Sequence, residues 1–179
     1  MSSPGFDGFI KIPSVPLNFV PTKSGEIIKL GQITCRILED GSRTDNRLGT
    51  CELILPPKTP GPPPHWHEMH DETFLITAGT IRFHYPDPSQ PGVDLSTTDA
   101  HAGDYMTVPV RSPHTFSNPG DVEARLFFTT TPAFYVNYFR LLADMGKEFA
   151  GKPMPAEANV KAMALYGTTL VDRVPRKPE

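Results

Sequence analysis

The most constraining feature of this sequence is the stretch over residues 61–79, which contains three successive prolines and then His65-Trp66-His67. In extended backbone, residues i and i+2 point to the same face, so both imidazoles face one way and Trp66 faces the other. Glu72 adds a carboxylate five residues after His67. Imidazole nitrogens and a carboxylate oxygen on one face suit a divalent transition metal. The stretch therefore predicts a strand that carries part of a metal site.

A second segment, over residues 103–118, contains a further candidate ligand, His114. A lone histidine near a strand is more often a hydrogen-bonded core residue than a ligand. Four ligand-type residues in two separate segments favour a metal site instead. We predict that one divalent transition metal (Fe, Mn, Ni, Co, Cu or Zn) is held there, and affinity order alone does not choose among these metals. The predicted ligands are His65, His67, Glu72 and His114.

The two segments resemble the two sequence motifs of the cupin family. The first motif is Gly, five residues, His-x-His, three or four residues, Glu, six residues and Gly. The second motif is Gly, five residues, Pro-x-Gly, two residues, His, three residues and Asn. The matching residues are His65, His67, Glu72 and Gly79 in the first segment, and Gly103, Pro109, His114 and Asn118 in the second. The resemblance implies the cupin fold, with a metal held by three histidines and one glutamate.

Two positions depart from those motifs. Only three residues separate Gly61 from His65, where the motif has five, and this indicates a differently shaped, proline-rich loop before the first histidine. Arg111 stands where the second motif has its internal glycine. The turn at that position must therefore accommodate a side chain.

The catalytic candidates are Glu72 and His70, which lie close together in the sequence. A carboxylate beside a metal can take a proton from a substrate when its coordination loosens. His70 is a candidate fifth ligand or acid–base group. The alternatives for His70 are an exposed loop residue or a partner that orients a ligand from outside.

Strand parity predicts the walls of a substrate pocket. If Glu72 points inward, Phe74 and Ile76 share its face. If His114 points inward, Phe116 and Asn118 share its face. The resulting pocket would be largely apolar around a polar metal, as small-molecule sites commonly are. The alternative is that the phenylalanines are simply barrel core.

Alternating apolar and polar residues predict short strands over most of the chain up to residue 132. Gly79 suggests a hairpin between two of them, and residues 86–102 read as a long polar loop. After Pro132 the apolar residues recur at spacings of three and four, which predicts an amphipathic helix to about Gly151. A second helix is predicted from Pro155 to about Gly167. The fold class is therefore all-β, a single-domain cupin-type jelly-roll β-barrel with an extended N-terminal arm and two C-terminal α-helices.

The predicted organisation has three parts: an N-terminal arm over residues 1–25, the barrel over 26–132 and a helical extension over 133–179. A chain of 179 residues is long enough for one domain with a core. Cys35 and Cys51 make no Cys-x-x-Cys and are expected to be buried, reduced thiols. The arm or the C-terminal helices are expected to cover sheet edges in a homodimer.

Composition excludes several kinds of partner. The formal net charge of −3 gives no basic surface for nucleic acid. No apolar run is long enough to span a bilayer, and the N-terminus has no basic region followed by an apolar run. We therefore expect a cytoplasmic protein with a small-molecule substrate, no nucleic-acid partner and no membrane partner.

Three functions agree with the predicted site. The resemblance extends to small quercetinase-like cupins, which implies a metal-dependent dioxygenase acting on an aromatic, polyketide-like or flavonol-like molecule. The same Lewis-acid site could instead serve a non-oxidative isomerase, lyase or dehydratase. The third possibility is a cupin that binds a small ligand without turnover. The sequence leaves the native metal and the substrate open.

Overall fold

A computed structural model describes residues 16–87, 89, 95–149 and 155–171 of the chain. The described strands are β1 (Glu26–Leu30), β2 (Ile33–Asp40), β3 (Gly49–Leu55), β4 (His65–His67), β5 (Asp71–Ala78), β6 (Thr80–Tyr85), β7 (Ser96–His101), β8 (Tyr105–Val108), β9 (Thr115–Ser117), β10 (Ala124–Thr131) and β11 (Thr168–Leu170). A 3₁₀ turn (Ala133–Tyr135) leads into α1 (Val136–Glu148), and α2 (Ala156–Leu165) precedes β11. The all-β class with two C-terminal helices is confirmed.

The strands form two larger sheets that pack face to face. The first has six strands in the order β1-β2-β3-β10-β5-β8, and the second has three in the order β7-β6-β9. All of these neighbours are antiparallel. Phe74 of β5 meets Phe83 of β6 and Phe116 of β9, with ring centroids 5.4 and 5.6 Å apart. The core therefore lies between the two sheets, as in a jelly roll.

In most of these strands, the burial of the side chains alternates from one residue to the next. In β2 the buried residues alternate with half-buried ones, and Ile33, Cys35 and Ile37 all face the core. Cys35 and Cys51 are buried, free thiols, in agreement with the sequence. Burial of this apolar face is the main free-energy gain of the sandwich.

The helical extension packs against the barrel. In α1 the residues Val136, Tyr138, Phe139 and Ala143 are buried, and the Phe139 ring lies 5.7 Å from that of Phe128 on β10. Pro155 caps α2 at its N-terminus, close to the predicted start. A two-stranded sheet formed by β4 and β11 then returns the chain to the barrel. The C-terminal segment is thereby joined to the strand that carries the two predicted histidine ligands.

Two sequence-based expectations need correction, and one strand lies in a segment for which the sequence predicts no structure. Residues 96–101 form the edge strand β7 inside what the sequence suggested was a loop, and residues 168–170 form β11 in the unpredicted tail. β5 and β6 do not pair as a hairpin, because they belong to different sheets. Gly79 is instead a corner between the sheets, with a φ of +69° and with the carbonyl oxygen of Glu123 only 2.7 Å from where a Cβ would lie.

The predicted arm falls largely outside the described residues, which begin at residue 16. At the start of the described chain, Leu17 and Phe19 are exposed. The division into arm, barrel and extension stays a prediction, as does the homodimer. Within the described residues, no helix combines the length and apolar character needed to cross a membrane.

Gly61 provides a test of the proline-rich loop. A Cβ at Gly61 would lie 1.8 Å from the Phe116 carbonyl oxygen, which is too close for any side chain. We expect Gly61→Ala to lower the free energy of unfolding by about 1–3 kcal/mol, because the loop or β9 must move. Urea denaturation measures the change.

The matched control is Gly146→Ala in α1, where a new Cβ meets nothing within 4 Å. This substitution is expected to raise stability by about 0.5–1 kcal/mol, because alanine has the higher helix propensity. Equal stability of Gly61→Ala and the unsubstituted protein would contradict the close packing of this loop on β9.

Candidate metal centre

Backbone pairing on both sides fixes the strand that carries the first two histidines. His65 and His114 exchange backbone hydrogen bonds of 3.0 and 2.8 Å. On the opposite side, β4 pairs with β11, with Thr168 directly across from His67. The two imidazoles of β4 are buried, while Trp66 between them is half-buried, which agrees with the predicted alternation. Pairing thus brings residues from distant parts of the sequence to one place.

Glu72 is the second residue of β5 and is only 3% exposed. β5 lies between β10 and β8, where Glu72 is opposite Thr130 and Val108. Its position is therefore fixed by a ladder on each side. A carboxylate at this depth requires close compensation by charge or hydrogen bonds.

Three imidazoles supply that compensation at the carboxylate. The Nε2 atoms of His67 and His70 each lie 3.2 Å from Glu72 Oε1. The Nε2 atom of His114 lies 3.1 Å from Glu72 Oε2. His65 completes the cluster, with its ring centroid 4.6 Å from that of His114. All four predicted ligands are therefore brought together.

Hydrogen bonds from outside orient the rings. The Nδ1 atom of His65 lies 2.8 Å from the Pro63 carbonyl oxygen, and that of His114 lies 3.0 Å from the Ser112 carbonyl oxygen. Because a carbonyl only accepts, both Nδ1 atoms carry the proton and donate it. In a neutral imidazole this leaves a lone pair on Nε2, the atom that faces the cluster.

The donor set fits a divalent transition metal. Among the described residues, potential ligand atoms of His65, His67 and His114 lie within 4.8 Å of one another, and so do those of His67, His70 and Glu72. Buried His67 Nε2 has no hydrogen-bond partner although the Glu72 carboxylate is close by. A buried nitrogen without a hydrogen-bond partner, next to a carboxylate oxygen, is an arrangement that a cation between them would stabilise.

The pKa shifts describe the same cluster in its metal-free form. Burial lowers the pKa of His65 to about 3, and the neighbouring His114 and His67 add to this effect. Burial also lowers the pKa of His67. For Glu72, burial acts to raise the pKa, but the charge of His67 and the hydrogen bonds from His114 and His70 outweigh burial and hold the pKa well below the usual range. Glu72 is therefore ionised at neutral pH.

His114 shifts in the opposite direction from the other two histidines. Burial acts to lower its pKa, but the hydrogen bond and charge of Glu72 outweigh burial and raise it. A protonated His114 can donate from Nδ1 to Ser112 and from Nε2 to Glu72 at once. A proton on His114 is thus one way to compensate the buried carboxylate, and a metal cation is another.

His70 is buried, which corrects the expectation of an exposed loop residue. Its ring lies 4.0 Å from the Tyr135 ring, and its Nε2 reaches Glu72. The Nδ1 atom is buried without a hydrogen-bond partner. This geometry suits a group that orients Glu72 or that holds a proton next to it.

A cavity of about 1060 Å³ opens beside the cluster and extends between the β1–β2 hairpin and the C-terminal helices. His65 and Glu72 form part of its wall, so a bound molecule would meet the metal ligands directly. Its aromatic lining consists of Phe74, Phe116, Phe128, Tyr135, Tyr138 and Phe139. Two of the predicted wall residues, Phe74 and Phe116, do line the cavity.

The other two predicted wall residues, Ile76 and Asn118, do not line it. Ile76 is buried in the core. The Asn118 amide group donates to the carbonyl oxygens of Leu55, Pro56 and Val122 at 2.8–3.1 Å, and its Oδ1 accepts from the Gly120 amide. The alternation of side chains along a strand predicts that these two side chains face inward. Ile76 does so within the core, and Asn118 is held by hydrogen bonds to the neighbouring loops, so neither reaches the cavity.

The structure shows how the turn accommodates Arg111 in place of the internal glycine of the second motif. Arg111 has a φ of +63°, the left-handed region in which glycine is the usual residue. Its amide donates to the His67 carbonyl oxygen at 2.7 Å, and its guanidinium pairs with Glu68 at 2.8 Å. These two contacts hold the turn against the first motif without a glycine.

Sequence reasoning missed two residues beside the cluster. Thr168 Oγ1 lies 2.9 Å from His67 Nδ1. The Tyr135 ring packs on those of His67 and His70, at centroid distances of 4.9 and 4.0 Å. A threonine in a polar tail and a tyrosine beside a helical apolar stripe carry no signal in the sequence that marks them as site residues.

Comparison with known proteins adds two findings. Residues 51–130 match the family model of the Cupin domain, and this range contains all four predicted ligands. None of the curated proteins matches the chain.

Similar solved structures share the fold at low sequence identity. KdgF from a Halomonas species has a TM-score of 0.54 at 14% identity, covering 65% of this chain and 94% of its own. An RmlC-like cupin from Shewanella frigidimarina scores 0.52 at 20% identity, covering 66% of this chain and 93% of its own. A predicted oxalate decarboxylase from Thermotoga maritima has a TM-score of 0.51 at 19% identity, covering 60% of this chain and 90% of its own. At these identities the likeness concerns the fold.

The ligand assignment predicts the effect of removing single side chains. His65→Ala and Glu72→Ala are each expected to lose most of the bound metal, because each substitution removes one ligand from the cluster. Elemental analysis of protein purified without chelator or added metal measures the content. His101→Ala is the control, since that side chain is 67% exposed on β7. Stoichiometric metal in both site variants would refute the assignment.

The lowered pKa of His65 predicts a pH dependence of stability for metal-free protein. The folded-state pKa is about 3 against an ordinary value of 6.5, so the folded state binds the proton more weakly than the unfolded state does. The contribution of neutral His65 to the free energy of unfolding is complete above its ordinary pKa of 6.5. This contribution is lost as the pH falls toward the folded-state pKa of about 3. Between these limits the slope is about 1.4 kcal/mol per pH unit.

Urea denaturation at pH 6.5, 5.5 and 4.5 tests this slope. His65→Gln removes the titrating group, so its stability should fall less steeply with decreasing pH than that of the unsubstituted protein. His101→Gln should keep the original slope. Parallel curves for the unsubstituted protein and His65→Gln would rule out a neutral, buried His65.

Proposed function

Because the chain belongs to the cupin superfamily, we propose that it is a metal-dependent enzyme acting on a small organic molecule. Dioxygenase chemistry on a hydroxylated aromatic, polyketide-like or flavonol-like substrate is the first form of this proposal. The observation that carries it is the cavity of about 1060 Å³, whose wall combines Glu72 and His65 with six aromatic side chains.

The cavity supports a substrate of substantial size. Its volume is at the upper end of the range found for small-molecule sites, and its lining is mainly apolar with a few polar groups. Tyr138 lines it from α1 and is mostly buried, and this burial raises its pKa to about 12. Tyr138 therefore stays a neutral phenol that can donate to or accept from a bound molecule.

The metal would be held by His65, His67, Glu72 and His114. When bound, a divalent transition metal supplies a Lewis acid and, if it is redox-active, a partner for dioxygen. Four protein ligands leave positions for substrate on an octahedral ion. The aromatic walls exclude water from the reacting atoms and orient a flat molecule against the ligands.

Glu72 and His70 are the groups that move protons in this proposal. Glu72 is ionised and lies on the cavity wall, so it can take the proton of a substrate hydroxyl. His70 donates from Nε2 to Glu72 Oε1 and keeps the carboxylate in position. The Nδ1 atom of His70 stays buried without a hydrogen-bond partner.

A second candidate is a non-oxidative isomerase, lyase or dehydratase. The buried His70–Glu72 pair supports it, because two proton-transfer groups 3.2 Å apart suffice for moving a proton next to a polarised carbonyl. This reaction needs no oxygen. Binding of a small ligand without turnover is the remaining alternative.

Oxygen uptake tests the dioxygenase proposal. Protein of known metal content is assayed with an oxygen electrode against flavonols and other hydroxylated aromatics. We expect uptake that depends on substrate, and we expect His70→Gln to lower kcat by about 100-fold because Glu72 loses its partner. His101→Gln should retain the original rate.

Other results of this assay would redirect or overturn the proposal. Zinc as the native metal, or a redox metal without oxygen uptake, would favour proton transfer. Incorporation of solvent deuterium into carbonyl substrates would then separate proton transfer from binding alone. Protein that contains and binds no metal would overturn both metal-dependent candidates.

A further inference from the structure

Thr168 occupies an unusual position for a residue that contacts a predicted metal ligand. It lies on β11, 101 residues after His67 and outside the matched domain over residues 51–130. It is 4% exposed and is the direct register partner of His67 across the β4–β11 pair. At Thr168 the C-terminal extension therefore contacts a predicted metal ligand directly.

We propose that Thr168 is a positioning residue that holds His67 in the tautomer with a bare Nε2 facing the metal centre. This inference rests on the metal-binding part of the proposed function. It assigns a role to the C-terminal extension, namely completing the site from outside the cupin domain.

The argument begins with how each histidine is held. His65 and His114 donate from Nδ1 to main-chain carbonyl oxygens, which can only accept, so their tautomers are determined by the backbone. His67 instead contacts a hydroxyl, at 2.9 Å. A hydroxyl can donate or accept, so the tautomer of His67 depends on where the Thr168 proton points.

Tyr135 packs on the same side of the site. Its ring is buried against those of His67 and His70, at centroid distances of 4.9 and 4.0 Å. A neutral phenol, like the Thr168 hydroxyl, can donate or accept a hydrogen bond. The direction of the Thr168–His67 hydrogen bond therefore depends on the other nitrogen of the His67 ring.

The far side of the His67 ring indicates that His67 Nδ1 donates its proton to Thr168. Nε2 is buried and has no hydrogen-bond partner, although Glu72 Oε1 lies 3.2 Å away. A proton on Nε2 would therefore gain no hydrogen bond, whereas a proton on Nδ1 gains the one to Thr168. The result is a lone pair on Nε2, like that on His65, directed at the ligand cluster.

Two variants of Thr168 separate positioning from packing. Thr168→Val keeps the β-branched shape and the strand backbone but removes the hydroxyl, while Thr168→Ser keeps the hydroxyl. Thr169→Val is the matched control, because Thr169 is the exposed neighbour on the same strand.

The first readout is the tautomer of His67 in metal-free protein, from nitrogen-15 NMR of histidine-labelled samples. The unsubstituted protein, Thr168→Ser and Thr169→Val should all show protonated Nδ1 and bare Nε2. Thr168→Val should shift His67 toward the other tautomer or a mixture. A bare Nδ1 in the unsubstituted protein would overturn the proposal before any variant is made.

The second readout is affinity for Co²⁺ alone, followed by its visible absorption. Thr168→Val should bind about 10–100-fold more weakly, as for other outer hydrogen-bond partners of ligand histidines. Thr168→Ser should restore binding. Original affinity in Thr168→Val, or weaker binding with an unchanged tautomer, would overturn the positioning role.

The two readouts keep this inference separate from the proposed function. If the unsubstituted protein binds no Co²⁺, the metal-dependent function fails, but the NMR experiment still reports whether Thr168 sets the tautomer. If Co²⁺ binds tightly and Thr168→Val changes nothing, the function stands and this inference fails.

Discussion

The buried carboxylate of Glu72 is the constraint on which the rest of this structure depends. An ionised group that is 3% exposed is unfavourable unless charges or hydrogen bonds surround it. The fold meets this requirement with three imidazoles at 3.1–3.2 Å from the two carboxylate oxygens. Those imidazoles come from β4, from the turn before β5 and from the segment before β9, so pairing of all three regions is a condition for burying the charge.

How much of this arrangement the sequence predicts depends on whether the determining contacts are local. The short strands before residue 132 are largely predicted from local residue patterns, and the four predicted ligands follow from motif spacing. β7 was missed because its sequence is polar and only Ser96 and Ala100 are buried. β11 was missed because three residues acquire a strand conformation only through pairing with β4.

The site residues divide in the same way. Phe74 is on the cavity wall because it follows Glu72 at a strand spacing, whereas Ile76 follows the same parity and lies in the core. Parity gives the face of a strand, but the extent of the cavity depends on where α1 and α2 pack. Tyr135 and Tyr138 belong to that extension, so no pattern within the barrel sequence could place them at the site.

The cluster therefore depends on two parts of the chain, the barrel and the C-terminal extension. The barrel places the ligands, and main-chain carbonyl oxygens fix two of the three histidine tautomers independently of side-chain identity. The third tautomer depends on a hydroxyl from β11. Because β11 and the cavity wall formed by α1 and α2 belong to one continuous segment, a change in how that segment packs would alter ligand geometry and cavity shape together. Under the proposed function, selection of the substrate and orientation of the metal ligands would thus be coupled through the C-terminal extension.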